Sequence, residues 1–260
     1  MNIVVLVKQV PDSGLERNLR QDDKTVDRDA GNLVIGELDE YAIEEALKLK
    51  EAHGGEVTVL TVGPEKATET IRKALSMGPD KAVHVSDPAI HGSDTVATSA
   101  IIAAALGKLE YDLVIAGAES TDGQTGALPA MLSERLGIAQ LTGARKLTVD
   151  GDKLTTIERQ TDDGYEVIEA TTPAIVSVWD TINEPRYPSF KGIMQAKKKP
   201  VETYSLSDLG VSADQVGLDS AWSEVLEFSG RPPKGAGVKV PDEGDGGSKL
   251  VEFLATQKIV

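Results

Sequence analysis

The residues best suited to hold a ligand lie in the stretch AGAESTDGQTGALPA, residues 116–130, between an apolar run, YDLVI, and a helix-like run, LPAMLSERLG. Ser120, Thr121, Gln124 and Thr125 offer hydrogen-bond donors, and Gly123 and Gly126 allow the backbone close to a bound group. A helix starting near Gln124 would aim its free N–H groups at the same point, with Asp122 as its capping side chain. The stretch has no Lys or Arg. Neutral donors of this kind suit a phosphate that is held but not reacted. The same residues would also serve as a capped connection with no ligand. A loop of about eight residues, longer than such connections usually are, favours binding.

Groups able to do chemistry are few. His53, His84 and His91 are scattered over a helix end, a strand and a loop, without metal-ligand spacing. There is no Walker loop, no dinucleotide-binding GxGxxG and no nucleophile elbow. Glu119 and Asp122 are close in sequence, but nothing pairs them as acid and base. Asp39 and Glu40 near a helix start read first as partners of the helix dipole. The residues describe a binder of a nucleotide-sized anion, with no catalytic residues and no metal site.

These groups need a scaffold, and the periodicity supplies one. Residues 2–7 form a continuous apolar, β-branched run, the mark of a strand buried on both faces. Residues 8–24 read as polar loop, and TVDRDAGNLVI as a small hairpin turning at Asp-Ala-Gly-Asn. A helix follows, with Ala42, Ile43, Ala46, Leu47 and Leu49 on one side and Gly54-Gly55 at its end. Strands are expected at 56–63, 81–86 and 112–117, and helices at 65–78, 93–109 and 124–137. Four strands alternating with helices predict an α/β fold, an open and mostly parallel sheet with helices on both faces. In such a sheet ligands bind past the carboxyl ends of the strands, so the loops after residues 7, 62 and 117 and the segment 36–39 converge there.

Past residue 144 the pattern changes. Asp-Gly pairs at 150–151 and 163–164 break β-type runs into antiparallel hairpins, an excursion from the sheet. PAIVSVWD, residues 173–180, returns to the main sheet. The reading is a nucleotide-binding domain over residues 1–200 and a C-terminal arm over 201–260. Amphipathic pieces joined by Gly-Pro-Asp-rich segments would let that arm wrap a partner.

A net charge of −15 argues against a nucleic-acid groove, since Lys197-Lys198-Lys199 is the one tight basic run. With no cysteine, the chain can form no disulfide or thiolate metal site. No apolar run reaches a membrane span, which leads to the expectation of a cytoplasmic protein without direct membrane insertion.

Several stretches together go beyond a generic sheet: LVKQVPD (6–12), DEYAIEEALKLKE (39–51), GAESTDGQTG, NEPRYPSFKGIMQAKKKP (183–200) and GRPPKGAGVKV. From residue 1 to about 240 the chain resembles the β subunit of electron transfer flavoproteins (ETF). The resemblance implies half of an αβ heterodimer, an electron carrier without independent catalysis. FAD would be held mainly by the α subunit, and AMP would be a structural ligand of this chain. Electrons would come from acyl-CoA-type dehydrogenases and pass to a membrane ETF:quinone oxidoreductase.

By the same resemblance, AMP contacts fall on Leu6, on Gly36, Glu37, Leu38 and Asp39, on Val62, and on Gly117, Ala118, Glu119, Ser120, Thr121, Asp122, Gly123, Gln124 and Thr125. Partner docking falls on Arg186, Tyr187, Phe190, Ile193, Met194, Lys197, Lys198 and Lys199, with Phe190 as the apolar anchor. Three departures stand out. The family often has Asn-Pro-Phe-Asp where this chain has Gly36-Glu37-Leu38-Asp39, and Glu37 should point away from a phosphate. Ser13 falls where the family can place an aromatic against the flavin. Bifurcating relatives, which hold a second FAD here and oxidise NADH, commonly have Asp-Gly-Asp-Thr-Ala-Gln-Val-Gly; the sequence from Asp122 to Pro129 differs, favouring AMP. An ATP-binding stress-type switch on a similar sheet would need a Ser-Gly-Gly-type loop, and Lys8-Gln9-Val10-Pro11 stands where its first-strand loop would be.

Overall fold

The computed structural model describes residues 1–15, 18–29, 31–151, 154–230, 232–233 and 235–260. Strand β1 (Asn2–Leu6) alternates in the way a strand buried on both faces must. Ile3 and Val5 enter one core; Val4 and Leu6 enter the other. Next come β2 (Gln9–Pro11) and β3 (Leu33–Ile35), which pair with each other as a separate antiparallel ribbon. This corrects the expected hairpin. Leu33–Ile35 pairs with a strand inside the segment expected to be loop, and Val26 bridges Leu19 instead. Ala30, in the expected turn, lies outside the described residues.

Helix α1 (Glu37–His53) carries Glu37, Asp39 and Glu40 in its first turn and Lys50 and His53 in its last, the polarity its dipole favours. It is followed by β4 (Glu56–Val62), α2 (Thr68–Met77), β5 (Lys81–Val85) and α3 (Thr95–Leu106), the last capped by the Asp94 carboxylate on the Ala97 N–H. β6 (Leu113–Gly117) then leads into α4 (Leu128–Leu136), which Gly137 closes in the left-handed conformation (φ 65°). α4 begins later than the expected residue 124. Gln124 and Gly126 have positive φ (49° and 59°), so the chain turns twice before a helix can propagate.

β7 (Ala139–Val149), β8 (Leu154–Thr161), β9 (Gly164–Thr171) and β10 (Ala174–Val178) follow. The expected hairpins form, and they extend the main sheet instead of leaving it. One end of β7 runs parallel to β10, and the other begins the antiparallel ladder with β8 and β9. After α5 (Phe190–Ala196), β11 (Val201–Tyr204) pairs with β5, and α6 (Leu206–Leu209) follows with a capping box at Ser205 and Asp208. Among the described residues the large sheet has nine strands, ordered β11-β5-β4-β1-β6-β10-β7-β8-β9. The α/β reading stands.

One core packs α1, α2 and α5 on one face of the sheet; the other packs α3, α4 and α6 on the opposite face. From β1 the chain moves to β4 and β5 on one side. It then returns through α3 to β6 on the other side, which puts the switch point between β1 and β6.

By its contacts the chain divides into Met1–Val225 and Leu226–Val260. That boundary lies past the expected residue 200, because β11 and α6 complete the first unit's sheet and second core. Residues 217–222 are tied to it as well: the Gly217 N–H donates to Ser93 Oγ (2.8 Å) and the Trp222 N–H to Asp94 Oδ2 (2.8 Å). Among its described residues the second unit has one helix, α7 (Gly246–Thr256), where Leu250, Val251 and Phe253 are all exposed.

Candidate functional site: a cleft at the strand ends and an exposed apolar turn

At the switch point the carboxyl ends of β1, β4 and β6 open into a cleft of about 1340 Å³. Leu6, Leu60, Val62, Ile102 and Ala116 give it an apolar lining. Parts of 19–29, of the turn at 87–95, of the loop at 117–129 and of 218–225 also border it. The last loop starts at Gly117 for a steric reason: a Cβ there would sit 2.7 Å from Leu38 Cβ, so only glycine lets β6 pass the start of α1 this closely. Beyond it the Gln124 N–H donates to the Ser120 carbonyl (2.9 Å), closing a tight turn.

Asp122 does not cap α4. Its carboxylate accepts from Lys8 Nζ (2.7 Å), from an Arg28 guanidinium nitrogen (2.9 Å) and from the Gly123 N–H (2.8 Å), with the side chain only 3% exposed. Burial alone would raise its pKa. Lys8, Ser120 and Arg28 outweigh that and hold it at about 2. The loop's lack of basic residues is therefore misleading, because other parts of the chain deliver two cations to it.

Asp39 behaves in the opposite way. It is buried at the start of α1, and its Oδ2 accepts the Lys8 backbone N–H (2.8 Å). Burial dominates over the hydrogen bonds from Lys8 and Gly117 and pushes its pKa up to about 7. Two carboxylates of one cleft thus sit on opposite sides of their ordinary value because one meets cations and the other mainly loses water.

Of the residues assigned to the nucleotide, Leu6, Asp39, Val62, Gly117, Ala118, Glu119, Ser120, Asp122, Gly123 and Thr125 line the cleft. Gly36, Glu37, Leu38, Thr121 and Gln124 do not line it. Glu37 is exposed, and Leu38 packs against Gly117. His84 is buried and hydrogen-bonded to the Gly63 carbonyl (3.0 Å), and burial lowers its pKa. His91 meets Asp23 (2.7 Å) at the cleft's border.

A second candidate region follows β10. Asn183 Nδ2 donates to the Tyr41 carbonyl and to Glu45 (both 3.0 Å). The Arg186 guanidinium grips Glu44 with two nitrogens (2.7 and 3.0 Å) and reaches Glu51 (2.6 Å). Further on, Lys199 Nζ donates to the carbonyls of Leu75, Gly78 and Pro79 at the end of α2 (3.0, 3.2 and 2.5 Å), while Arg72 returns bonds to the carbonyls of Ala196 and Lys199. Arg186 and Lys199 are therefore anchors of the segment to α1 and α2. Between these anchors the segment projects apolar groups into solvent. Tyr187 is 96% exposed and Phe190 91%, and Ile193 and Met194 are exposed as well. Lys197 and Lys198 are also exposed.

Residues 23–209 match the family profile described as "Electron transfer flavoprotein domain". The chain is 54% identical to the electron transfer flavoprotein subunit beta of Mycobacterium tuberculosis, across 100% of this chain and 99% of that one. It is 40% identical to the subunit of the same name from Thermoanaerobacterium thermosaccharolyticum, across 88% of each. It is 37% identical, across 92% of each chain, to the caffeyl-CoA reductase-Etf complex subunit CarD of Acetobacterium woodii. The chain belongs to the electron transfer flavoprotein family, as a β subunit.

As a member it serves flavin-based electron transfer, and a β subunit implies an α subunit as its partner. Among the described residues no helix is long and apolar enough to cross a membrane. The groups that sequence reasoning missed in this ETF chain are the cations. Lys8 stands in LVKQVPD and Arg28 in TVDRDAG, stretches read as a strand end and a hairpin. Arg28 lies 94 residues from Asp122 in sequence, a separation no local pattern reveals.

Proposed function

We propose that this β subunit holds AMP in the cleft as a structural ligand. The α subunit carries most of the FAD, with its ring near the subunit boundary. One observation carries the reading: apolar lining, a glycine-bearing turn and two cations converge at the switch point of a parallel sheet, where such folds bind nucleotides. The residues fit the group chemically. Leu6, Val62 and Ala116 suit the faces of a base, while Lys8, Arg28 and the N–H groups of the loop suit a phosphate. When bound, FAD supplies the one-electron chemistry. This chain's residues position and shield, and the chain has no activity alone.

The exposed turn around Phe190 docks acyl-CoA-type dehydrogenases that donate electrons, and a membrane ETF:quinone oxidoreductase receives them. Exposed aromatics on an anchored segment are what a partner pocket recognises. The segment 226–260, whose apolar side chains are largely exposed, wraps the α subunit. The complex works in the cytoplasm.

A second reading has one specific support. CarD, a similar chain, is named as part of a caffeyl-CoA reductase-Etf complex, and a cleft of about 1340 Å³ admits a larger nucleotide than AMP. In that reading a second FAD occupies the cleft and the complex oxidises NADH. Co-expression with the α subunit, denaturation and chromatography of the released nucleotides separates the two. One FAD and one AMP per heterodimer supports the carrier. Two FADs without AMP moves the reading to bifurcation.

A further inference from the structure

We propose that Lys8 and Arg28 form a two-cation clamp for the nucleotide's phosphate, with Asp122 as the positioning residue that holds both side chains in place. The inference rests on the nucleotide reading above and assigns its charge recognition to residues outside the 117–126 loop.

Asp122 draws two cations from different elements to one point. Lys8 follows β1, and Arg28 arrives on the excursion between β2 and β3. One buried carboxylate against two cations leaves the cluster net positive. Both cations line the cleft, with side chains 42% and 31% exposed, so neither is consumed by the protein.

Donors are left over. Of its three protons, Lys8 Nζ uses one on Asp122 and makes a longer contact with Ser120 Oγ (3.4 Å). Arg28 uses one terminal nitrogen on Asp122 and the other on the Gln9 carbonyl (3.0 Å), which fixes the plane of the fork. Lys8 Nζ also lies 3.9 Å from where a Cβ on Gly123 would be, so it stands directly beside the glycine turn whose backbone a phosphate would approach.

The clamp is a local positive spot in an acidic cleft, whose lining also carries Asp22, Glu65, Asp87, Asp94, Asp219 and Glu224. Asp29 is near Arg20 (3.6 Å) and Lys66 (3.9 Å), and Asp23 is taken by His91. Asp39, which lies behind Lys8, is held by burial toward its neutral form. Glu119 also lines the cleft. It lies near Gly126 and sets a limit on how much negative charge the site tolerates. A clamp of this kind selects the phosphate monoester over the free nucleoside, because the base and ribose contacts are common to both.

The test uses the αβ complex, dialysed free of exchangeable nucleotide and titrated with AMP and with adenosine. Lys8→Met with Arg28→Met should weaken AMP about tenfold or more while adenosine changes less than about twofold. The double variant leaves Asp122 buried without cations and invites misfolding. The triple variant adding Asp122→Asn removes that charge, and the Lys8→Arg variant keeps the clamp. Both should remain assembled, the first with lost discrimination and the second with AMP affinity close to wild type. An assembled double or triple variant that discriminates AMP from adenosine as the wild type does overturns the clamp alone. A wild-type complex that binds no adenine nucleotide overturns both the clamp and the nucleotide reading.

Discussion

The cleft and the turn around Phe190 handle their functional groups in opposite ways. In the cleft the polar groups are already engaged with one another: Asp122 with Lys8 and Arg28, Asp39 with backbone N–H groups. In the turn the anchors are engaged while the tips are free. Arg186 and Lys199 bind α1 and the end of α2, and Tyr187 and Phe190 are almost wholly exposed. The contrast shows two kinds of preorganisation. Under the proposed function, a charged ligand would meet charges whose cost of burial is offset before it arrives. The apolar tips are presented bare, on a backbone held elsewhere, so that the proposed docking would order little more of the chain.

The largest break in this comparison is a deletion. Removing residues 226–260 should abolish stoichiometric co-purification with the α subunit while residues 1–225 keep their fold, measured by circular dichroism and gel filtration. The cut belongs after 225 because a cut after 200 would also remove β11 and α6 from the first unit. If the shortened chain still co-purifies one to one, the wrapping role is wrong.

Asp122→Ala comes next. It strips two cations of their shared partner and should cost about 2 kcal/mol in urea unfolding, along with loss of bound AMP. An unchanged midpoint would mean that the cluster contributes nothing to the cleft's order.

Phe190→Ala tests the other region by the opposite signature. It should lower kcat/KM for electron transfer from a dehydrogenase about tenfold, with FAD content unchanged and stability within about 0.5 kcal/mol of wild type. Equal kinetics across several dehydrogenases would refute the anchor role.

The smallest effect concerns pH. Asp39 holds its proton to about 7 in the fold, against 3.8 ordinarily. Between those values the folded state binds a proton that the unfolded state has lost, so this group's contribution to stability falls as pH rises through that window. Asp39→Asn should flatten the decline in Tm between pH 4 and 7. It should also raise Tm relative to wild type at pH 8. A parallel profile would place the cause elsewhere.

Much of the scaffold was legible because it depends on periodicity. The continuous β-branched run at Ile3, Val4, Val5 and Leu6, and the helical spacing of Ala42, Ile43, Ala46 and Leu47, are local patterns that favour strand and helix. The partner of Leu33–Ile35 was not legible, since a three-residue strand has no local mark of which neighbour it joins. Nor was the start of α4, where two residues with positive φ delay a helix that apolar spacing alone would begin earlier.

By itself, then, the sequence determined the α/β alternation, the position of the loop after β6 at the strand ends, and the resemblance carried by motifs such as NEPRYPSFKGIMQAKKKP. Tertiary structure alone decided which charges meet. Asp122 reads as a helix cap beside its own sequence neighbours and becomes the hub of Lys8 and Arg28 only when β1, the β2–β3 excursion and the β6 loop converge. Arg186 reads as part of a docking motif and becomes an anchor only beside Glu44 and Glu51 of α1. The physical reason is range. Periodicity and turn chemistry act over a few residues, whereas a charge or a buried carboxylate takes its character from whatever the fold brings within a few ångströms of it.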